Sequence, residues 1–205
     1  MKKILIFGDS ISWGAFDYDK GGWAERLKIK YLGTYSNGKG IGVYNLSISS
    51  NNTTGVLETI ENDIIKFNKI LPADYIFLFS IGSNDPAYID MKDNVVVPID
   101  LYKNNLEKIV EISKKYSKEI IFTGLMIVDE NKTKPWSENE YWENKGIKKY
   151  NDEIENICKK HELDFIPLWN VITKEDLLDG LHPNTKGHKK IYNQVERHLS
   201  KKLFL

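Results

Sequence analysis

Four stretches of the chain are apolar without alternation: KILIFG (3–8), GVYNL (42–46), YIFLFSIG (75–82) and EIIFTGLMI (119–127). Continuous runs of this kind suit strands covered on both faces, as in a parallel sheet. A weaker fifth run is DFIPL (164–168). Between the runs, apolar residues recur at helical spacing. Val56, Ile60, Ile64 and Phe67 share one face, behind Thr53 and Thr54 as expected N-caps. Tyr102, Leu106, Ile109, Ser113 and Tyr116 follow the third run, and Ile147, Tyr150, Ile154, Ile157 and His161 follow the fourth. His188, Ile191, Tyr192, Val195 and Leu199 close the chain, and a shorter helix is expected from Gly22 to Lys30. This alternation predicts a three-layer α/β/α sandwich around a parallel sheet of about five strands. With 205 residues, one well-filled domain spanning 1–205 is expected.

One segment breaks the pattern. VDENKTKPWSENEYWENKG (128–146) is polar, yet it carries Trp136, Tyr141 and Trp142. Connections of this length are usually disordered or functional. Three large aromatics disfavour disorder, so the segment is expected to be a substrate-facing lid or a subunit contact.

Composition narrows the function classes. Hydrophobic residues make up 41% and charged residues 28%, the balance of a globular chain. Lys plus Arg and Asp plus Glu are both 29, so the net charge is zero. That argues against a nucleic-acid partner and against an anionic membrane surface. Arginine occurs only at Arg26 and Arg197, leaving few bidentate anion clamps. Cys158 is the single cysteine, which rules out an internal disulfide. It falls in an amphipathic helical pattern and reads as a packing residue. MKKILIFGDS has too short an apolar stretch for a signal peptide, and no stretch is long enough to span a membrane. A cytoplasmic location is therefore expected.

Ligands of open parallel sheets bind beyond the carboxyl ends of the strands. The first strand ends in Gly8-Asp9-Ser10, the second in NLSISSNNT (45–53) and the third in IGSNDP (81–86). Past the fifth lies LLDGLHPNTKGH (177–188). Acyl transfer by serine needs an imidazole to take the hydroxyl proton and a carboxylate to orient that imidazole. It also needs preorganised donors for the oxyanion. Ser10, His182, Asp179 and Asn84 can fill these roles together. Asp179 and His182 are three residues apart, and Gly180 lets both share one turn. Asp9 reads as a brace for its loop. Ser12 is a second candidate nucleophile, further from the strand end. His161, His188 and His198 lie on helical patterns and read as packing or surface residues.

FGDSISWG, IGSND and DGLHP, in this order across nearly the whole chain, resemble the sequence blocks of the SGNH/GDSL hydrolase family. The resemblance implies a flavodoxin-like fold and ester hydrolysis with neither metal nor cofactor. It makes Ser10 the nucleophile and a backbone oxyanion donor, Asn84 a side-chain oxyanion donor, and His182 the general base oriented by Asp179. One block departs. The family usually has a glycine shortly after the second strand, where NLSISSNNT places Ser50. The main-chain N–H of Ser50 is then the third expected donor, strained if the position needs positive φ. Short acyl esters, acetylated carbohydrates, lysophospholipids and thioesters are candidate substrates. With no long apolar groove evident, a small acyl ester, short-chain or on an acetylated carbohydrate, is expected.

Of three rival readings, the first is set aside and two are carried as alternatives. GTYSNGKG (33–40) nearly fits a phosphate-binding loop, but it ends in glycine and precedes a strand. A metal-dependent phosphoesterase would draw on Asp9, Asp85, Asp179 and His182. A catalytically weak or inactive carbohydrate-binding protein would stack sugars on Trp13, Trp23, Trp136 or Trp142.

Overall fold

The computed structural model describes residues 2–34 and 40–203. Most of the 33–40 loop motif lies outside them. In chain order the elements are β1 (Lys2–Gly8), α1 (Ser10–Trp13), α2 (Trp23–Leu32), β2 (Ile41–Asn45), α3 (Thr53–Ile70), β3 (Asp74–Ser80) and β4 (Tyr88–Ile89). There follow α4 (Ile99–Lys114), β5 (Glu119–Thr123), α5 (Glu130–Thr133), β6 (Glu140–Tyr141), α6 (Asn144–His161), β7 (Asp164–Ile166) and α7 (Thr185–Leu203).

Five strands form one parallel sheet in the order β2-β1-β3-β5-β7. The chain steps outward from β1 to β2, then returns past β1 to β3. The carboxyl ends of β1 and β3 therefore flank the point where strand order reverses and a crevice opens.

Both faces of the sheet are covered. Leu5, Phe7, Phe77, Phe79 and Phe122 pack under α3, α4 and α6, against Ile60, Leu106, Ile109 and Ile154. Ile4, Ile6, Ile76, Leu78 and Ile121 face the other way, against Trp23 and Leu27 of α2 and Ile191 and Val195 of α7. Successive strand residues thus enter two cores, which is why the runs do not alternate.

Three departures from expectation have a clear physical origin. The fourth run stops being strand at Thr123. Past it, Gly124 N–H still reaches the Ile166 carbonyl at 2.9 Å, but Leu125 N–H is met by the Asn151 side chain at 2.9 Å. A helix side chain has replaced the neighbouring strand. The cap of α3 is Asn52 rather than Thr53 or Thr54, its side chain accepting from Thr54 N at 3.0 Å and Gly55 N at 3.1 Å. Segment 128–146 carries α5 and β6, and β6 pairs antiparallel with β4 in a separate two-stranded ribbon. Among the described residues, no helix is long and apolar enough to cross a membrane.

The ring of Phe79 stacks between Phe7 and Phe122, with centroids 5.3 and 4.8 Å away. Phe79→Ala is expected to lower stability by about 3–5 kcal/mol, read from the urea midpoint at unchanged slope.

Candidate active site

The first part of the site forms where β1 stops. Asp9 caps α1, its carboxylate accepting from Ile11 N–H at 3.0 Å and from the Ser83 hydroxyl. Burial pushes the Asp9 carboxyl up, against the pull of these hydrogen bonds. Ser10 begins the helix at the sheet's carboxyl edge. Ser12 is fully buried and directs its hydroxyl to the Ser80 carbonyl at 3.3 Å. It is turned into the sheet, which removes it as an alternative to Ser10.

The second part is the turn 177–183, between β7 and α7. Leu178 N–H donates to the His182 carbonyl at 2.9 Å, closing the turn. Gly180 sits at φ 92°, and a Cβ there would lie 2.6 Å from Lys132 Cβ. Glycine is needed for both reasons. Asp179 Oδ1 accepts from the main-chain N–H of Leu181 at 3.0 Å and of His182 at 2.7 Å. Its Oδ2 lies 2.8 Å from His182 Nδ1 and accepts from the Trp136 indole at 3.1 Å. Burial works to raise the Asp179 carboxyl, but the bonds and charge of His182, with the Leu181 N–H, hold it well below the usual carboxylate range. His182 Nε2 is 2.9 Å from Ser10 Oγ. With Nδ1–H given to Asp179, Nε2 is free to accept the serine proton. Phe16 and Trp136 pack edge-on to the imidazole, at 5.3 and 5.8 Å.

The third part follows β2 and β3. Asn84 Nδ2 donates one hydrogen to the Asn51 carbonyl at 2.8 Å and lines the cavity. Ser50 also lines it, at φ 63°, and its N–H meets no acceptor among the described residues. Ser10, His182, Ser50 and Asn84 together border a cavity of about 300 Å³, walled by Ile89, Val96, Trp136 and Trp142. A larger cleft of about 610 Å³ lies on the far side of the β4–β6 ribbon, lined by Tyr88, Lys92, Glu143 and Lys149 among others. It touches none of the candidate residues.

Residues 6–190 match the model of the GDSL-like Lipase/Acylhydrolase family. The chain belongs to this family. It is 24% identical over 207 residues to the GDSL esterase/lipase WDL1 of Oryza sativa subsp. japonica, covering 95% of this chain and 76% of that one. It is also 24% identical over 218 residues to the isoamyl acetate-hydrolyzing esterase 1 homolog of Homo sapiens, covering 98% and 82%. Its fold matches Axe2, an acetylxylan esterase from Geobacillus stearothermophilus, with a TM-score of 0.73 at 21% identity over 96% of this chain and 93% of that one. The lipase/acylhydrolase from Enterococcus faecalis gives 0.74 at 20% identity over 98% and 97%. These likenesses show the SGNH hydrolase fold.

Within this GDSL family member, the five expected residues Ser10, Ser50, Asn84, Asp179 and His182 come together. Asp85 does not join them. It turns inward, where Thr53 N–H reaches its two carboxylate oxygens at 3.1 and 3.2 Å and the Thr53 hydroxyl also donates. Among the described residues, no three His, Cys, Asp or Glu side chains cluster to hold a metal. Trp13 is exposed and Trp23 is sealed in the core, so of the four tryptophans considered only Trp136 and Trp142 reach the cavity. His188 is buried, its Nδ1 accepting from Trp23 N at 3.3 Å and its Nε2 facing the Ala15 carbonyl at 2.8 Å. The sequence reading missed the indole bond to Asp179 and the Ser83 bond to Asp9. The aromatics of the polar 128–146 stretch were the only signal for the first.

A serine at φ 63° carries backbone strain of about 1 kcal/mol that glycine does not. Ser50→Gly is expected to raise stability by about that amount, read by chemical denaturation. Burial raises the Asp85 carboxyl from 3.8 to about 7. Between those values the folded chain binds a proton that the unfolded chain releases. Asp85 therefore makes stability fall as pH rises through the window, by at most about 1.4 kcal/mol per unit. Asp9, raised in the same direction, adds to the slope. Asp85→Asn is expected to flatten it, measured by urea unfolding across the window.

Proposed function

We propose that this GDSL family member is a metal-independent serine esterase that cleaves small acyl esters through an acyl-enzyme on Ser10. The observation that carries the reading is the unbroken chain from Ser10 Oγ through His182 to Asp179, opening on a cavity. In the proposed reaction Ser10 Oγ attacks the ester carbonyl as its proton passes to His182 Nε2. The oxyanion lies against the N–H groups of Ser10 and Ser50 and the free amide hydrogen of Asn84. The C–O bond of the ester breaks, and His182 returns the proton to the departing alcohol. Water, deprotonated by His182, then attacks the acyl-enzyme, and the acid leaves as Ser10 regains its proton. Asp179 stays ionised throughout and holds the imidazolium that forms. Every proton moves between protein groups and substrate, so the step calls on neither metal nor cofactor.

A cavity of about 300 Å³ walled by Ile89, Val96 and Trp142 supports a short acyl group. Acetyl esters of carbohydrates fit the same reading, with Trp136 offering a ring at the wall and a structural neighbour described as an acetylxylan esterase. The partner is thus a small-molecule ester, with no nucleic acid and no membrane. One hydrolase domain spanning 1–205 and a cytoplasmic setting belong to the same proposal. Cys158 fits it: burial pushes its thiol up to about 12, leaving it an inert packing group.

Ser10→Ala and His182→Ala are each expected to cut hydrolysis of short p-nitrophenyl esters by about 10⁴–10⁶-fold. Asn84→Ala should cost about 10²–10³-fold in kcat, and chelator should change nothing. Undiminished turnover in Ser10→Ala would overturn the proposal.

A further inference from the structure

Four donors meet the Asp179 carboxylate. Three belong to its own turn: the N–H of Leu181, the N–H of His182 and the His182 Nδ1–H. Were the turn to rock, these would move with the carboxylate and fix nothing. Among the described residues, the donor that reaches Asp179 from elsewhere in the chain is the Trp136 indole. It meets Oδ2, the oxygen that also faces the imidazole.

Trp136 is itself held from both sides. Its main-chain N–H donates to the Glu140 carbonyl at 2.9 Å, in β6. The segment folds back on itself through Trp142 N–H to the Thr133 carbonyl at 3.0 Å and the Thr133 hydroxyl to the Trp142 carbonyl at 2.9 Å. Trp142 then donates its indole N–H to the Ser83 carbonyl at 2.8 Å, beside Asn84. At the other end Asp129 N–H reaches the Gly180 carbonyl at 2.8 Å. The arm 129–142 therefore spans from the Asn84 loop to the Asp179 turn. An indole suits its tip because it donates one hydrogen, accepts none and does not titrate near neutral pH.

We propose that Trp136 is a positioning residue that acts through Asp179, fixing the carboxylate rotamer and tempering its pull on His182. This rests on the reading of Ser10, His182 and Asp179 as the reacting group. Sharing Oδ2 with the indole lowers the basicity of the carboxylate. Loss of the indole N–H makes Asp179 more basic and stabilises the imidazolium. His182 must be neutral to accept the serine proton, so the low-pH limb of kcat/KM then moves to higher pH. None of the other charged groups around the pair bonds the indole N–H, whose partner is Asp179. They are Asp9 at α1, His188 on α7, Glu140 at the cavity wall, and Asp129 and Lys132 at α5.

The test compares wild type, Trp136→Phe and a protein in which Trp136 is replaced biosynthetically by benzothienylalanine. The last keeps the ring shape without the N–H, and serves if the phenylalanine variant fails to fold. Two quantities are read: the pH profile of p-nitrophenyl acetate hydrolysis, and the His182 ring titration by NMR, which needs no turnover. The expected result is an upward move of both the low-pH limb and the ring titration, with kcat falling about tenfold and KM changing less. A ring titration that stays at its wild-type position in the benzothienylalanine protein overturns the proposal and leaves Trp136 as wall alone. A wild type that hydrolyses no ester while the ring titration still moves overturns the esterase reading and keeps the positioning role.

Discussion

The 2.9 Å contact between Ser10 and His182 joins residues 172 apart in sequence, and both sides of it depend on the sheet and its covering helices. Ser10 is placed by β1, which is paired on both sides, and by the Asp9 cap that starts α1 at its end. His182 is placed by a turn whose exit runs into α7, packed on α2 through Ile191 and Val195 against Trp23 and Leu27. A histidine with no part in the proposed reaction fastens the same two segments again. His188, in the first turns of α7, bonds the Ala15 carbonyl and the Trp23 N–H, just past Ser10. Burial lowers its pKa, so it stays a neutral link between one acceptor and one donor. The contact is thus held by apolar packing and by a polar rivet beside it.

Three aspartates sit within this small region and differ only in surroundings. Asp179 is half enclosed and meets four donors, so it remains a carboxylate. Asp9 and Asp85 are sealed in, and desolvation raises both. Only the first faces an imidazole. The other two shape loops: Asp9 ties β1 to Ser83, and Asp85 ties Asn84's loop to the start of α3. Desolvation thus governs two of the carboxyls and donated hydrogen bonds the third, the same residue type driven in opposite directions by its surroundings.

How much of this was legible depends on the range of the interaction. The five strands and five long helices follow from runs and spacings inside windows of a few residues, and the sequence reading finds all of them. The segments that follow the strands carry Ser10, Asn84, Asp179 and His182, so the candidate residues could be named before any contact was known. The expectation that Ser50 would be strained at positive φ depended on a backbone angle, and the angle is 63°. What local patterns do not contain is who answers whom across the fold. Leu125 leaves the strand because a side chain from α6 meets its N–H, Asn52 caps α3 while Thr53 serves Asp85, and a polar arm reaches Asp179 through one indole. The two-residue strands β4 and β6 are too short for any periodicity to show them.

The central claim is that Ser10 is activated by His182. Intact-mass analysis after treatment with a small fluorophosphonate tests it most directly, on wild type, Ser10→Ala and His182→Ala. The account predicts a single adduct on wild type that maps to Ser10, none on Ser10→Ala, and slow labelling of His182→Ala. An adduct of equal yield on Ser10→Ala, or a folded wild type that takes no label, would contradict it.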